Sequence, residues 1–305
     1  MLKSRIKIES NLKFQKTMKL TIHGYSTALY ATWYFIEELG ILFDAGDGVC
    51  SNLLGKAGKI KHAFISHADR DHLTGLLQFN QLFAGLKPTI YYPKDSGSFP
   101  FLKDFFTKFD PHNKGTNWQA IEDKSIITTK NTIQVEAIEN GHVVQPGLLK
   151  SLSFKVYETK RKLKSEFVNL HKDELINIKK EHGDHFLTNE VKRNILSYSG
   201  DTPIEDYKRY DNSEILIHEA TFLTKDETNT KSEKNKHSSL DDVFKMVANI
   251  KIDKLILGHF SSRYDQDEID NEIKKHIQHH NIKIPVHRIP VGKAVKNILA
   301  QEPIN

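Results

Sequence analysis

The chain of 305 residues reads as a mixed α/β domain whose sheets are covered by helices. Three observations predict this. Short β-type blocks alternate with helical stretches along the whole chain. Two blocks, Ile215-Leu216-Ile217 and Leu255-Ile256-Leu257, are continuously apolar, the pattern of strands buried on both faces. No internal repeat and no Pro/Gly/Ser-rich linker divides the sequence, which favours one domain over residues 1–305.

The β-type blocks place strands at Leu20–His23, Trp33–Ile36, Ile41–Asp44, His62–Ser66, Thr89–Tyr92, Thr132–Ala137, Leu152–Tyr157, Ile195–Ser199, Ile215–His218 and Lys254–Gly258. Leu152–Tyr157 alternates apolar and polar residues, as a half-buried strand does. Helical spacing is clearest late in the chain. Leu240, Val243, Phe244, Val247 and Ile250 follow an i, i+3, i+4, i+7 pattern, with Ser238 and Asp241 as a capping box. Ile269, Ile273 and Ile277 mark a further helix. The charged stretch at about 160–183, with Leu163, Phe167, Leu170, Leu175 and Ile178 as its apolar residues, predicts two short amphipathic helices joined near His171.

Composition excludes several classes. An aromatic share of 10% spread over recurrent apolar blocks is incompatible with global disorder. The longest apolar candidate, Leu29 to Ile36, is strand-sized and broken by Thr32, far short of the ~18 residues of a membrane-spanning helix. No membrane partner is expected. No apolar segment follows Met1-Leu2-Lys3-Ser4-Arg5, so no secretory signal is expected. The single cysteine, Cys50, allows neither an internal disulfide nor a multi-cysteine zinc cluster, and points to a reducing, cytoplasmic compartment. A net charge of +5, from 44 basic and 39 acidic residues, permits a polyanionic partner without demanding one.

The anomaly is 16 histidines, and one segment puts several at ligand spacing. In Ser66-His67-Ala68-Asp69-Arg70-Asp71-His72 a strand runs into a loop. In extended backbone His67, Asp69 and Asp71 point the same way, and His72 joins them if the chain turns there. Carboxylates brought together repel unless a cation lies between them. Imidazole with carboxylate suits Zn²⁺, Mn²⁺ or Fe²⁺. The alternative, a polar turn with capping aspartates, leaves the paired histidines unexplained. Further His or Asp residues follow predicted strands: His142 after Gly141, Asp201 in Gly200-Asp201-Thr202, His218-Glu219, and His259 in Gly258-His259-Phe260, while His237 opens a helix. Singly each is weak; in open-faced α/β proteins such strand ends build sites. Cys50 and His23, His62, His112, His171, His182, His185, His276 and His287 are left outside the site, His62 as structural and the other histidines as solvated.

These blocks resemble the metallo-β-lactamase superfamily and, within it, the ribonuclease Z family, the endonucleases that remove the 3′ trailer from precursor tRNA. The resemblance runs from about His23 to Val291. It is carried by Leu42-Phe43-Asp44-Ala45-Gly46, Ser66–His72, Gly141-His142, Tyr198-Ser199-Gly200-Asp201-Thr202, His218-Glu219-Ala220-Thr221-Phe222 and Leu257-Gly258-His259-Phe260-Ser261-Ser262-Arg263-Tyr264. The last two blocks are the most ribonuclease Z-like, and the 160–183 stretch resembles the reduced arm of the plant-type short enzymes.

The resemblance implies an αββα four-layer sandwich of metallo-β-lactamase type and two divalent ions, zinc foremost. One ion would take His67, Asp69 and His142, the second Asp71, His72 and His259, with Asp201 bridging. Asp71 would orient the attacking water or accept its proton. His237, with Glu219 behind it, would stabilise the developing charge or protonate the leaving oxygen. A homodimer, with one subunit's arm serving the other's site, is implied as well.

Asp69 departs from the family's H-x-H-x-D-H pattern, in which a histidine holds that position. An aspartate oxygen still reaches the ion, but one unit of site charge is lost, and a harder ligand tilts preference from Zn²⁺ toward Mn²⁺ or Fe²⁺. The Gly-Thr-Gly turn of many members is replaced by His23-Gly24-Tyr25-Ser26, and the segment from Gly183 to Arg193 has no counterpart. Two rivals remain on the sequence: a phosphodiesterase of the same fold for cyclic nucleotides or other small phosphodiesters, and a binding protein with a degenerate site. A tRNA enzyme needs a basic grip, for which Lys160, Arg161, Lys162, Lys164, Lys172, Lys179 and Lys180 are the candidates, diluted by Glu166, Asp173, Glu174 and Glu181.

Overall fold

Alternation within the apolar runs sorts the strands into two stacked sheets. In Ile41-Leu42-Phe43, Ile41 and Phe43 join one hydrophobic cluster and Leu42 another; Ile215 and Ile217 part from Leu216 in the same way. The structure, a computed structural model, describes residues 18–228 and 236–305. Met1-Leu2-Lys3-Ser4-Arg5, on which the expected absence of a secretory signal rests, lies outside the described residues.

The first sheet has the order β1 (Ile22–Thr27), β2 (Ala31–Ile36), β3 (Ile41–Phe43), β4 (His62–Phe64), β5 (Thr89–Pro93), β6 (Asn117–Ile121). β1 to β3 pair antiparallel and β3 to β6 parallel. The second sheet contains β7 (Ile126–Lys130), β8 (Ile133–Glu139), β9 (Leu152–Leu163), β10 (Thr188–Tyr198), β11 (Ser213–Glu219), β12 (Ile252–Gly258) and β13 (Val286–Arg288), in the order β13-β12-β11-β10-β9-β8-β7. β7 to β10 pair antiparallel and β10 to β13 parallel.

Phe43, Phe64, Phe154 and Tyr198 meet between the sheets, with ring centroids 5.2–6.0 Å apart in the pairs they form. Helices α1 (Val49–Leu53), α2 (Leu76–Phe83) and α3 (Ser98–Phe109) cover the outer face of the first sheet. On the second sheet, α6 (Leu240–Val247) and α7 (Gln266–His279) bury Leu240, Val243, Phe244, Ile269 and Ile273 against Leu216, Leu255 and Leu257. This is the αββα sandwich. Each strand expected from the sequence coincides with or overlaps an observed one.

Four readings change. The 160–183 stretch is not two helices. β9 continues to Leu163, where Lys160–Leu163 pair with Val191–Thr188 of β10, so their backbone groups are used by the ladder. Only a 3-10 turn at Ser165–Phe167, α4 (Lys172–His182) and the short α5 (Asp184–Leu187) are helical there. The cap of α6 is Ser239, whose Oγ accepts from the Asp242 N–H at 3.2 Å; Ser238 donates instead to the Thr202 carbonyl. His23, His276 and His287 are buried rather than solvated: His23 pairs with Glu37 at 3.0 Å and His276 stacks on Phe244. Tyr92–Pro100, whose Pro, Asp, Ser and Gly residues read as a turn-rich loop, gives way at Ser98 to α3, which carries Pro100 in its first turn, where a missing N–H costs no helical bond.

Candidate metal centre

The two sheets end side by side at one edge, and the polar strand-end residues collect there. β4 leads into the loop holding His67, Asp69, Asp71 and His72; His142 follows β8, Asp201 follows β10, Glu219 ends β11 and His259 follows β12. His237 reaches the same edge from the segment before α6, its ring 4.8 Å from that of His142 and 5.5 Å from that of His259. Gly200 precedes Asp201 with φ +58, and a Cβ there would meet Ser66 Cβ and the Leu152 carbonyl at 2.9 Å, so the sheets close only over glycine.

The structure gathers His67, Asp69, Asp71, His72, His142, Asp201, Glu219, His237 and His259 in this cluster, with Asp71 parted from His67 and Asp69, unlike in an extended loop. His218 does not join them: its Nδ1 donates to the Glu219 carbonyl at 2.7 Å and its ring packs against Tyr210. The backbone is extended through Asp69 and turns into a 3-10 turn at Arg70–His72. Asp71 therefore leaves His67 and Asp69 and joins His72. His67 Nε2 and His142 Nε2 each lie 3.6 Å from Asp69 Oδ2. His72 Nε2 and His259 Nε2 are 3.3 Å apart, and 3.5 and 3.4 Å from Asp71 Oδ2. Asp201 Oδ2 sits between the groups, 3.2 Å from His72 Nε2, 3.2 Å from His259 Nε2 and 3.7 Å from His67 Nε2.

These separations fit ions. Ligand atoms ~2.0–2.1 Å from one tetrahedral zinc lie ~3.3–3.4 Å from each other. His67 Nε2 and His142 Nε2 are buried and make no hydrogen bond among the described residues, as lone pairs kept for a cation would be. The donor set thus fits two divalent ions.

Each imidazole is held by its other nitrogen. Nδ1 of His72 donates to Asp44 at 2.8 Å, of His142 to the Lys236 carbonyl at 2.9 Å, of His259 to Thr221 Oγ1 at 2.9 Å and of His67 to Ser66 Oγ at 2.9 Å. That fixes the tautomer which offers Nε2. Asp44, Ser66 and Thr221 were not singled out from the sequence. Asp44 follows a strand, as Asp201 does, and that signal could have found it. Its carboxylate also accepts from Ser66 N–H at 2.7 Å, Ser66 Oγ at 2.9 Å and the Tyr198 hydroxyl. The two hydroxyls carried no signal.

Glu219 is buried and saturated. Oε1 accepts from Thr202 N, Ser238 N and His237 Nδ1 at 2.9, 3.1 and 3.1 Å, and Oε2 from Thr221 N and Oγ1 at 3.0 and 2.7 Å. Burial alone would lower the His237 pKa, but the Glu219 charge and hydrogen bond outweigh it and raise it to about 9. The imidazoles of His142 and His67, each 3.6 Å from its Oδ2, hold the Asp69 carboxyl well below its ordinary range. Burial lowers the His67 pKa and keeps that ring neutral, the form that ligates.

A metallo-β-lactamase fold with such a His/Asp cluster at its sheet edge defines a metal-dependent hydrolase. No protein-family model matches the chain. Ribonuclease Z of Methanocaldococcus jannaschii is 30% identical over 273 residues, covering 79% of this chain and 82% of the relative. The tRNase Z TRZ1 of Arabidopsis thaliana is 26% identical over 264 residues, covering 83% and 89%. Among solved structures, the short form of human tRNase Z superposes with TM-score 0.57 at 18% identity, over 91% of this chain and 99% of that one. The metallo-beta-lactamase fold protein YhfI of Bacillus subtilis superposes with TM-score 0.61 at 14% identity, with the same coverage. The chain belongs to the ribonuclease Z family.

Proposed function

We propose that the protein is a metal-dependent endoribonuclease that hydrolyses the phosphodiester joining a precursor tRNA to its 3′ trailer. The observation that carries the reading is the convergence of two ligand groups on Asp201, with the His237–Glu219 pair beside them, in a chain of this family. His67, Asp69 and His142 would hold one ion and Asp71, His72 and His259 the other. Bound there, the ions would supply Lewis-acid stabilisation and a nucleophilic water at neutral pH.

The protein's own groups do the rest. Asp71, its Oδ2 fixed by the Leu29 N–H at 3.0 Å, orients the water and takes its proton. Water adds to phosphorus, the bond from phosphorus to the ribose 3′ oxygen breaks, and that oxygen takes a proton from His237. Glu219 keeps His237 protonated and directs Nδ1 inward, leaving Nε2 as the ring nitrogen available to substrate. The products are a tRNA 3′-hydroxyl and a trailer bearing a 5′-phosphate.

The finer assignments are proposals too. Zinc is the favoured ion, with Mn²⁺ or Fe²⁺ admitted by Asp69. Beyond Glu158 and Asn194, β9 and β10 pair with each other and not with β8 or β11, so the arm stands out from the sandwich as a grip on RNA does. Arg161 and Lys179 are tied to Asp184, Lys160 to Glu158, and Lys164 lies over the Phe186 ring, which leaves Lys162, Lys172 and Lys180 for phosphates. A cytoplasmic homodimer is the proposed working form. Its test is mass in solution by light scattering: twice the chain mass supports it, the single-chain mass opposes it. No helix of the described residues is long and apolar enough to cross a membrane. The function is tested by comparing kcat/KM for a precursor tRNA carrying a trailer with that for bis(p-nitrophenyl) phosphate, with Zn²⁺ or Mn²⁺ present. A large preference for the RNA supports the proposal; turnover of the small diester alone assigns the site to small phosphodiesters.

A further inference from the structure

A second cluster of metal-ligating side chains lies outside the candidate centre, on the outer helical layer. α6 and α7 flank a cleft of about 500 Å³. His276 on α7 packs its ring on Phe244 at 5.2 Å and 9°, and only 8% of the residue is exposed. Its Nε2 is buried and has no hydrogen-bond partner among the described residues. Asp241 Oδ1, from α6, faces that nitrogen at 3.5 Å and Glu272 Oε1 at 3.9 Å. One helical turn on, His280 stacks on His276 at 6.0 Å and 15° and lines the same cleft.

We propose that this cleft is a third divalent-cation site, for a transition metal of the zinc class, with His276 Nε2 and Asp241 Oδ1 as its fixed ligands and His280 as the third. The 3.5 Å separation is too long for a hydrogen bond yet close to the ~3.3–3.4 Å between two ligands of one tetrahedral zinc, as at the main centre. Histidines at i and i+4 on one helix face form a recurrent zinc-binding pair. The His280 ring, half-buried and at the helix end, is not within ligand distance of both His276 and Asp241 in this structure and would turn to join them on binding. A cation is favoured over an anion because the lone pair and Asp241 would both repel negative charge. Of the three lysines at the cleft, Lys275 is paired with Glu272 at 2.7 Å and Lys225 with Asp242 at 3.4 Å, while Lys245 adds positive charge near His280.

The site bears on the rest of the molecule through Asp241. Its other oxygen accepts from the Lys225 N–H at 2.7 Å, near the start of the segment that leads to His237. An ion here would brace α6, α7 and that segment together.

The test is metal content. The full-length protein is dialysed against Zn²⁺ and washed, and zinc per chain is measured by mass spectrometry. Asp241→Asn keeps the acceptor for the Lys225 N–H and sits on the surface, so it isolates the ligand change; His276→Gln is the second variant. Each is expected to lose one zinc equivalent per chain relative to the unsubstituted protein, with the circular dichroism of the zinc-free form unchanged in Asp241→Asn. The same zinc content in the unsubstituted protein and Asp241→Asn would overturn the proposal.

Discussion

Glu219→Gln separates the two jobs given to Glu219, holding His237 in place and holding its proton. Gln keeps an oxygen for the surrounding N–H donors but removes the charge. With that charge the His237 pKa stands at about 9, against an ordinary 6.5. The donor is the protonated ring, so activity is carried below that pKa and lost as pH rises through it. At pH 8 a ring of pKa 9 is ~90% protonated and one of pKa 6.5 or lower at most ~3%, so Glu219→Gln should cost at least ~30-fold at pH 8. The loss shrinks as pH falls and the unpaired ring regains its proton. Cations bound beside Asp201 lower both limbs together, so the quantity to read is the displacement between the two proteins at equal metal. The assay is kcat/KM for trailer removal from pH 5.5 to 9.5. An alkaline limb at the same pH in both proteins, even with reduced activity, would refute the role of Glu219 in holding the His237 proton.

Asp69→His restores a nitrogen ligand and should raise Zn²⁺-supported turnover relative to Mn²⁺-supported turnover several-fold; an unchanged ratio would show that the oxygen ligand does not set metal preference. Asp44→Asn removes the charged acceptor of His72 Nδ1 and should weaken metal binding by ~10–100-fold in a chelator competition, with the fold retained by circular dichroism. Replacing Lys162, Lys172 and Lys180 together by Ala should weaken precursor binding and lower its salt slope by up to ~2–3 while sparing bis(p-nitrophenyl) phosphate hydrolysis; an unchanged slope would remove the arm from RNA binding. Phe154→Ala, in the aromatic cluster between the sheets, should cost ~3–5 kcal/mol in denaturant unfolding.

What could be read from the sequence follows the physics of burial. Strands such as Ile215–Ile217 and Leu255–Leu257 are covered on both faces and announce themselves as apolar runs. β6 and β7 lie at sheet edges, largely exposed, and Asn117-Trp118-Gln119-Ala120-Ile121 shows no alternation to read. The arm misleads for a related reason: with polar residues on both faces of the ladder, β9 beyond Glu158 looks like one side of a charged helix. The candidate site was legible where its groups are His and Asp at strand ends, because those residue types are rare there without cause. Its support was not. Asp44 and Ser66 meet only because β3 and β4 pair in parallel, Phe43 beside Phe64, and Thr221 reaches His259 only across two strand ends. Such contacts belong to the topology, not to any local pattern.

The central claim, that this centre hydrolyses the 3′ trailer junction, is tested most directly by the ends of the product. A 5′-labelled precursor tRNA with a 3′ trailer is incubated with the protein and Zn²⁺ or Mn²⁺, alongside Asp71→Ala, and the cut is mapped to the nucleotide. The account predicts one cut after the discriminator base, leaving a 3′-hydroxyl on the tRNA and a 5′-phosphate on the trailer, and no cut by Asp71→Ala. Uncut precursor under either metal, or a cut that ends in a cyclic phosphate or persists in Asp71→Ala, would contradict it.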